Sequence, residues 1–259
     1  MISHMNFKEF YFCSIKSYQS SVDSLNLKPV ILTTLLSPVF YLLFFFMVRF
    51  QTIDPENIPL FLLQSILILP IGLCVFYVGT SFSKLKQWGV INSLLLTDTG
   101  LFNIAIQIAV VATTISFFVS LFWFSVIELF FMDFNLSIGL FFEYLVVLFL
   151  SILVASAFGL LIAVLILPLK ERFFVVNSLF FILIIFSGLM FQSESGWLYW
   201  VSHALPLTPF VSATRIIGNG QIGWGFILIG IFNLVWYILL AYVLINRMLV
   251  KMQEGNADY

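Results

Sequence analysis

Charge is scarce in this chain. Asp, Glu, Lys and Arg make up only 9% of its 259 residues, against about 25% in an average soluble domain. A soluble fold of this size needs more charge than that to cover its surface. The net charge of −1 supplies no basic face for nucleic acid. Cysteine is nearly absent. Cys13 and Cys74 lie in the N-terminal segment and inside an apolar run, which argues against a disulfide framework. Two histidines and two cysteines do not build an all-protein zinc cage. Reaction motifs are missing too. The sequence contains no G-x-x-x-x-G-K-S/T loop, no G-x-S-x-G and no H-E-x-x-H, so no catalytic residue and no metal ligand is assigned.

What is present is apolar sequence, 62% of the chain, gathered into six long stretches. They run from about Pro29 to Val48, Leu60 to Phe82, Leu101 to Phe124 or further, Leu140 to Leu167, Phe173 to Phe191 and Gly225 to Ile245. A run of roughly 20 apolar residues matches a hydrocarbon core of about 30 Å. The expected fold is therefore an all-α integral membrane protein with six transmembrane helices. Lys and Arg are retained on the cytoplasmic side. Lys8, Lys16, Lys28, Lys84, Lys86, Lys170, Arg172, Arg247 and Lys251 fall on one side of these spans, and only Arg49 and Arg215 on the other. Both termini are expected in the cytoplasm. Asp54, Glu56, Glu128, Asp133 and Glu194 then fall in external loops.

The flanking segments carry their own patterns. Within residues 1–28, Phe7, Phe10, Tyr11, Ile15, Tyr18, Val22 and Leu25 recur at mostly helical spacing beside Ser and Lys. This predicts an amphipathic interfacial helix on the inner membrane surface. Charges interrupt the segment, so it does not read as a cleaved signal peptide. Residues 246–259 form a cytoplasmic tail. Within residues 192–216, the stretch 196–215 resembles a seventh span in hydropathy, but Pro206 and Pro209 are expected to break a helix, and His203 and Arg215 are costly in lipid. A re-entrant element before the last span fits better, with Trp197, Tyr199 and Trp200 as an interfacial anchor. His203 is expected at the surface, and Arg215 to pair with an acid or reach headgroups. Glu143 is expected near the outer end of the fourth span, within reach of water. Ser151, Ala155, Gly159 and Ala163, spaced by four in that span, form a small-residue stripe for close helix packing, within the protomer or between subunits.

Two stretches resemble a known family. After the second span, Gly89-Val90-Ile91-Asn92-Ser93-Leu94-Leu95-Leu96-Thr97-Asp98 is similar to the G-T-L-E-x-L-L-x-T-P pattern of type-2 ABC exporter permeases. Asn92 replaces the usual acid and Asp98 the usual proline. Trp88, Ile91, Leu94 and Leu95 fall at helical spacing and would present one apolar face. Later in the chain, Ser187-Gly188, Gly196-Trp197-Leu198, Leu205-Pro206-Leu207-Thr208 and Arg215 follow the order of pieces that family shows before its last span. Leu205 replaces the usual asparagine.

The resemblance implies a permease subunit of an ATP-driven exporter, without reaction chemistry of its own. It implies a cytoplasmic coupling helix at about 86–97, with Trp88, Gly89, Ile91, Asn92, Leu94 and Leu95 meeting the ATPase. It also implies two copies of a separate ATP-binding subunit, which bind ATP and Mg, and a second permease, identical or homologous. Membrane lipids are the remaining partner, and the expected location is a bacterial plasma membrane. The Phe-rich spans, with 32 Phe in the chain, suggest a hydrophobic or amphipathic cargo such as a drug-like compound, lipopeptide or bacteriocin. The alternatives are export of a lipid-linked polysaccharide, or an ATP-independent channel or toxin-immunity protein.

Overall fold

The computed structural model describes residues 58–87, 101–131, 138–166, 172–189, 196–218 and 223–253, with single positions between 36 and 47 and at 169 and 221. Every regular element among the described residues is an α-helix. They are α1 (Ile58–Ile66), α2 (Ile68–Gln87), α3 (Leu101–Phe131), α4 (Ile138–Ile166), α5 (Arg172–Phe186), α6 (Trp197–His203), α7 (Thr208–Gly218) and α8 (Trp224–Gln253). The expected interfacial helix over 1–28, the coupling helix core at 88–97 and most of the first span lie outside the described residues. Leu36, Val39, Phe40, Leu43, Phe44 and Met47 are helical.

Among the described residues, four stretches are long and apolar enough to cross a membrane: Leu60–Gly79, Leu101–Phe130, Gly139–Ile166 and Trp224–Met248. The helix boundaries refine the sequence expectation at four stretches, of which the second runs to Gln87, past Phe82. The third stretch runs as one helix to Phe131, which puts Glu128 on the helix rather than in a loop. At 31 residues it is about 46 Å long. The fifth stretch ends as a helix at Phe186, not Phe191. Gly188 there adopts φ +79°, the left-handed conformation that stops helices. The last stretch continues to Gln253, beyond its apolar part.

The second stretch is broken between α1 and α2, and Pro70 accounts for the break. Proline has no N–H to donate to Ile66, and its ring clashes with that carbonyl. The chain tightens instead, and the Leu67 amide donates to the Gln64 carbonyl at 3.1 Å. The Leu63 carbonyl thereby loses its usual intrahelical partner. The Tyr144 hydroxyl, from α4, donates to it at 2.8 Å.

α4 is the central helix. It packs against α2, α8, α3 and α7. Its most apolar window is 72% buried, whereas that of α8 is 28% buried. α8 therefore turns most of its surface outward, including Leu228, Phe232, Val235 and Leu239. In lipid, helices associate through close packing rather than through release of water. The contact between α7 and α8 shows this. Phe210 of α7 is fully buried, and a Cβ at Gly230 would lie 2.4 Å from its ring.

Candidate functional site

The small-residue stripe of α4 lies inside the protomer. Ser151, Ala155 and Ala163 are at most 2% exposed, and Gly159 is buried as well. A Cβ at Gly159 would stand 2.9 Å from the Cys74 carbonyl oxygen of α2. The absent side chain therefore lets the backbones of α2 and α4 touch, the purpose small residues serve in membranes. Ser151 satisfies its own hydroxyl on the Leu148 carbonyl at 2.7 Å. Beside this contact, Cys74 Sγ and Ser116 Oγ of α3 are 3.3 Å apart, which ties a third helix to the pair.

The stretch expected to be re-entrant comprises two short helices, α6 and α7, with the turn 204–207 between them. Pro206 occupies that turn. Pro209, expected to break a helix, instead lies in the first turn of α7, where a missing N–H costs nothing. Gly196 opens α6 with φ +85°. Trp197 and Trp200 are exposed at 72% and 74%, while Leu207 and Thr208 are buried.

These pieces converge on the end of α5. The last carbonyls of a helix lack intrahelical donors, and here α7 supplies them. Thr208 Oγ1 donates to the Phe186 carbonyl at 3.2 Å. Arg215 donates through Nη2 to the Gly188 carbonyl. The Ser187 hydroxyl donates to the Ile184 carbonyl at 2.7 Å and accepts from the Leu189 amide at 3.2 Å. A guanidinium at the negative end of a helix dipole adds a favourable charge interaction. Arg215 thus anchors one helix end to another element through a backbone contact.

The end of α6 is held in the same manner by α8. Asn233 donates through Nδ2 to the His203 carbonyl at 2.9 Å, and the Tyr237 hydroxyl donates to the Ala204 carbonyl. His203 is not the surface histidine expected from the sequence. It is 7% exposed. Its ring stacks on Phe226 at 5.5 Å and leans on Tyr199 at 4.1 Å. Nδ1 lies 2.9 Å from the Tyr199 carbonyl, which assigns the proton to that nitrogen. Neighbouring rings from α8 and α6 bury a side chain that its polarity alone places at the surface.

Sequence reasoning missed Asn233, Tyr237 and Tyr144. Asn233 carried a usable signal, being a lone amide in an otherwise apolar span. Tyr144 carried none, because its role depends on a carbonyl freed 81 positions away. Trp88, Gly89, Ile91, Asn92, Leu94 and Leu95 lie outside the described residues. Among the described residues, no group of three His, Cys, Asp or Glu could hold a metal.

Several long apolar helices, knit together by small residues and side-chain-to-carbonyl bonds, define a multi-pass membrane protein. The family of ABC-2 type transporters, by its membrane domain, matches residues 11–218. The chain belongs to that family. It is an ABC transporter permease, a transport component rather than a catalytic one. No curated protein and no solved structure matches it.

Proposed function

We propose that this chain is the permease subunit of an ATP-driven exporter that moves a hydrophobic or amphipathic compound out of a bacterial cell. The observation that carries the reading is the family match over residues 11–218, joined to four helices among the described residues that are long and apolar enough to cross a membrane. The full complement is six spans with both termini cytoplasmic, as the distribution of Lys and Arg supports. α5, apolar over Phe174–Phe186, belongs to the fifth span and is completed by the corner that α7 and α8 hold.

A separate ATPase in two copies supplies ATP and Mg chemistry, and a second permease completes the path. ATP binding biases a two-state membrane domain, so the coupling surface must touch the ATPase differently in the two states. Trp88, Ile91, Leu94 and Leu95 provide that surface through their shared apolar face. The tightly packed contact between α2 and α4 transmits displacement of the segment that follows α2 as a rigid-body shift.

The test is a mild-detergent pull-down from native membranes, with the co-purifying chains identified and vanadate-sensitive ATP hydrolysis assayed. A stoichiometric partner carrying a P-loop, with activity, is the expected result. A clean permease, under conditions that preserve a known ABC complex, would move the reading to a channel or a toxin-binding protein. Stimulation of ATP hydrolysis by a glycolipid, and by no amphipathic drug or peptide, would replace the cargo class with lipid-linked polysaccharide.

A further inference from the structure

The second span is one apolar run but two helices, and the two halves have different neighbours. α2 packs along α4, α3 and α5, and glycines fix it there. A Cβ at Gly159 of α4 would stand 2.9 Å from the Cys74 carbonyl oxygen, and one at Gly72 would stand 3.2 Å from the Phe180 ring of α5. α1 packs on α3 and α7 instead. Its seat on α7 is close too, since a Cβ at Gly218 would stand 2.7 Å from Leu60 Cδ1. Between the halves the ladder is interrupted at Leu67, whose amide donates to the Gln64 carbonyl at 3.1 Å. α4 reaches α1 across this break through the Tyr144 hydroxyl, which donates to the Leu63 carbonyl at 2.8 Å. The Tyr144 ring is itself held by α3, stacked on Phe124 at 4.8 Å.

A proline break is where a helix bends, and hinges are a few element-terminal residues that absorb the change in backbone angles. Bending also decides which donor meets Leu63. In a straight helix the Leu67 amide meets its carbonyl, and in the broken one Tyr144 does. A hydroxyl on a ring fixed by another helix reaches that carbonyl only over a narrow range of α1 angles, because hydrogen bonds weaken steeply off their axis. We propose that the second span is a hinged lever, with residues 66–70 as its pivot and the Tyr144–Leu63 bond as the latch that holds α1 at its present angle. α2 then moves as one body with α4 and α5, and α1 moves with α7. On the topology proposed above, α2 leads into the segment assigned to the ATPase, and α1 lies on the outer side. Displacement from the cytoplasm reaches the pivot, and release of the latch lets the outer half turn separately. This mechanical role rests on the reading of the chain as an ATP-driven permease, whereas the pivot and latch stand without it. α1 has 9 residues and is about 14 Å long, so a turn of about 20° carries Ile58 about 5 Å.

The test measures that displacement in the full chain in lipid nanodiscs, with no ATPase present. Nitroxide labels are placed at Ile58→Cys, the first residue of α1, and at Gly139→Cys, an open position at the start of α4. The background is Cys13→Ser, Cys74→Ala, and electron paramagnetic resonance reads the separation of the labels. One narrow range of separations is expected for this parent. Tyr144→Phe keeps the ring but removes the donor, and should broaden the range or shift it by about 5 Å. Pro70→Ala returns an amide to the ladder, so that a straight helix re-forms and the Leu67 amide meets Leu63. Added to Tyr144→Phe, it should restore a narrow range. Tyr237→Phe removes a tyrosine-to-carbonyl bond in the α6–α8 corner and should leave the parent's separation unchanged. If Tyr144→Phe alone does not fold, the addition of Pro70→Ala should restore folding, read as a size-exclusion profile and melting temperature like those of the parent. The proposal is overturned if Tyr144→Phe keeps the parent's separation, if Pro70→Ala rescues neither separation nor folding, or if Tyr237→Phe changes the separation as much as Tyr144→Phe. The measurement requires neither ATPase nor transport, so its failure leaves the pull-down result standing, and the reverse also holds.

Discussion

Two single residues hold disproportionate weight because the surrounding backbone has no alternative partner. At Gly159 the limit is space. A Cβ there would stand 2.9 Å from the Cys74 carbonyl, and backbone cannot move aside as a side chain can. Gly159→Val should therefore destabilise the chain by about 1–3 kcal/mol through overpacking, seen as a lowered melting temperature in detergent. An unchanged melting temperature would mean that α2 and α4 do not meet there. At Tyr144 the limit is a hydrogen bond. Tyr144→Phe preserves the ring on Phe124 but leaves the Leu63 carbonyl unmet, at a cost of about 1–3 kcal/mol. Faster amide exchange over 63–70 would report it, and wild-type exchange would show the bond to be dispensable. The stripe containing Gly159 was legible from the spacing of small residues. That the stripe meets α2 was not, because spacing defines a face and not its neighbour.

Among the elements, the corner of α5, α6, α7 and α8 shows how short helices are held in a membrane protein. The carbonyls at the end of α5 and in the turn after it are met by Thr208 and Arg215, and those at the end of α6 and its C-cap by Asn233 and Tyr237. Each short helix is thus stabilised at the end where its own ladder runs out. Arg215→Ala should loosen the 187–189 turn and lower stability by about 1.5–3 kcal/mol, the worth of a hydrogen bond to a charged group. Arg215→Lys should recover part of that loss, since a cation remains at the helix end. Protease sensitivity around 187–195 measures both. Equal sensitivity of the two variants would assign the effect to the guanidinium fork alone, and wild-type resistance of both would remove the anchor role. The order of these pieces was visible in the sequence. Their convergence was not, because the hydrogen bonds link positions 22 and 27 residues apart.

For the whole molecule, the decisive prediction concerns the partner. Replacing Leu94 and Leu95 with Asp should remove the apolar face of the segment after α2. The ATPase should then be lost while the permease stays inserted and folded, as judged by co-purification and size-exclusion profile. Full ATPase activity still co-purifying with the variant would overturn the coupling assignment. The sequence by itself determined the membrane class, the membership of a permease family and the lack of reaction motifs. These follow from composition, run length and local pattern, which the bilayer reads directly because it demands about 20 apolar residues per span. Tertiary structure decided the rest. Pro70 breaks the second span, and Tyr144 of α4 takes up the freed Leu63 carbonyl. His203 is buried only because Phe226 and Tyr199 close over it. One carboxylate oxygen of Glu143 is enclosed because α2 and α3 pack against its helix. In each case a polar group's state depends on which neighbour arrives, and in a sequence where nearly every helix is apolar all round, hydropathy alone does not say which helix that is.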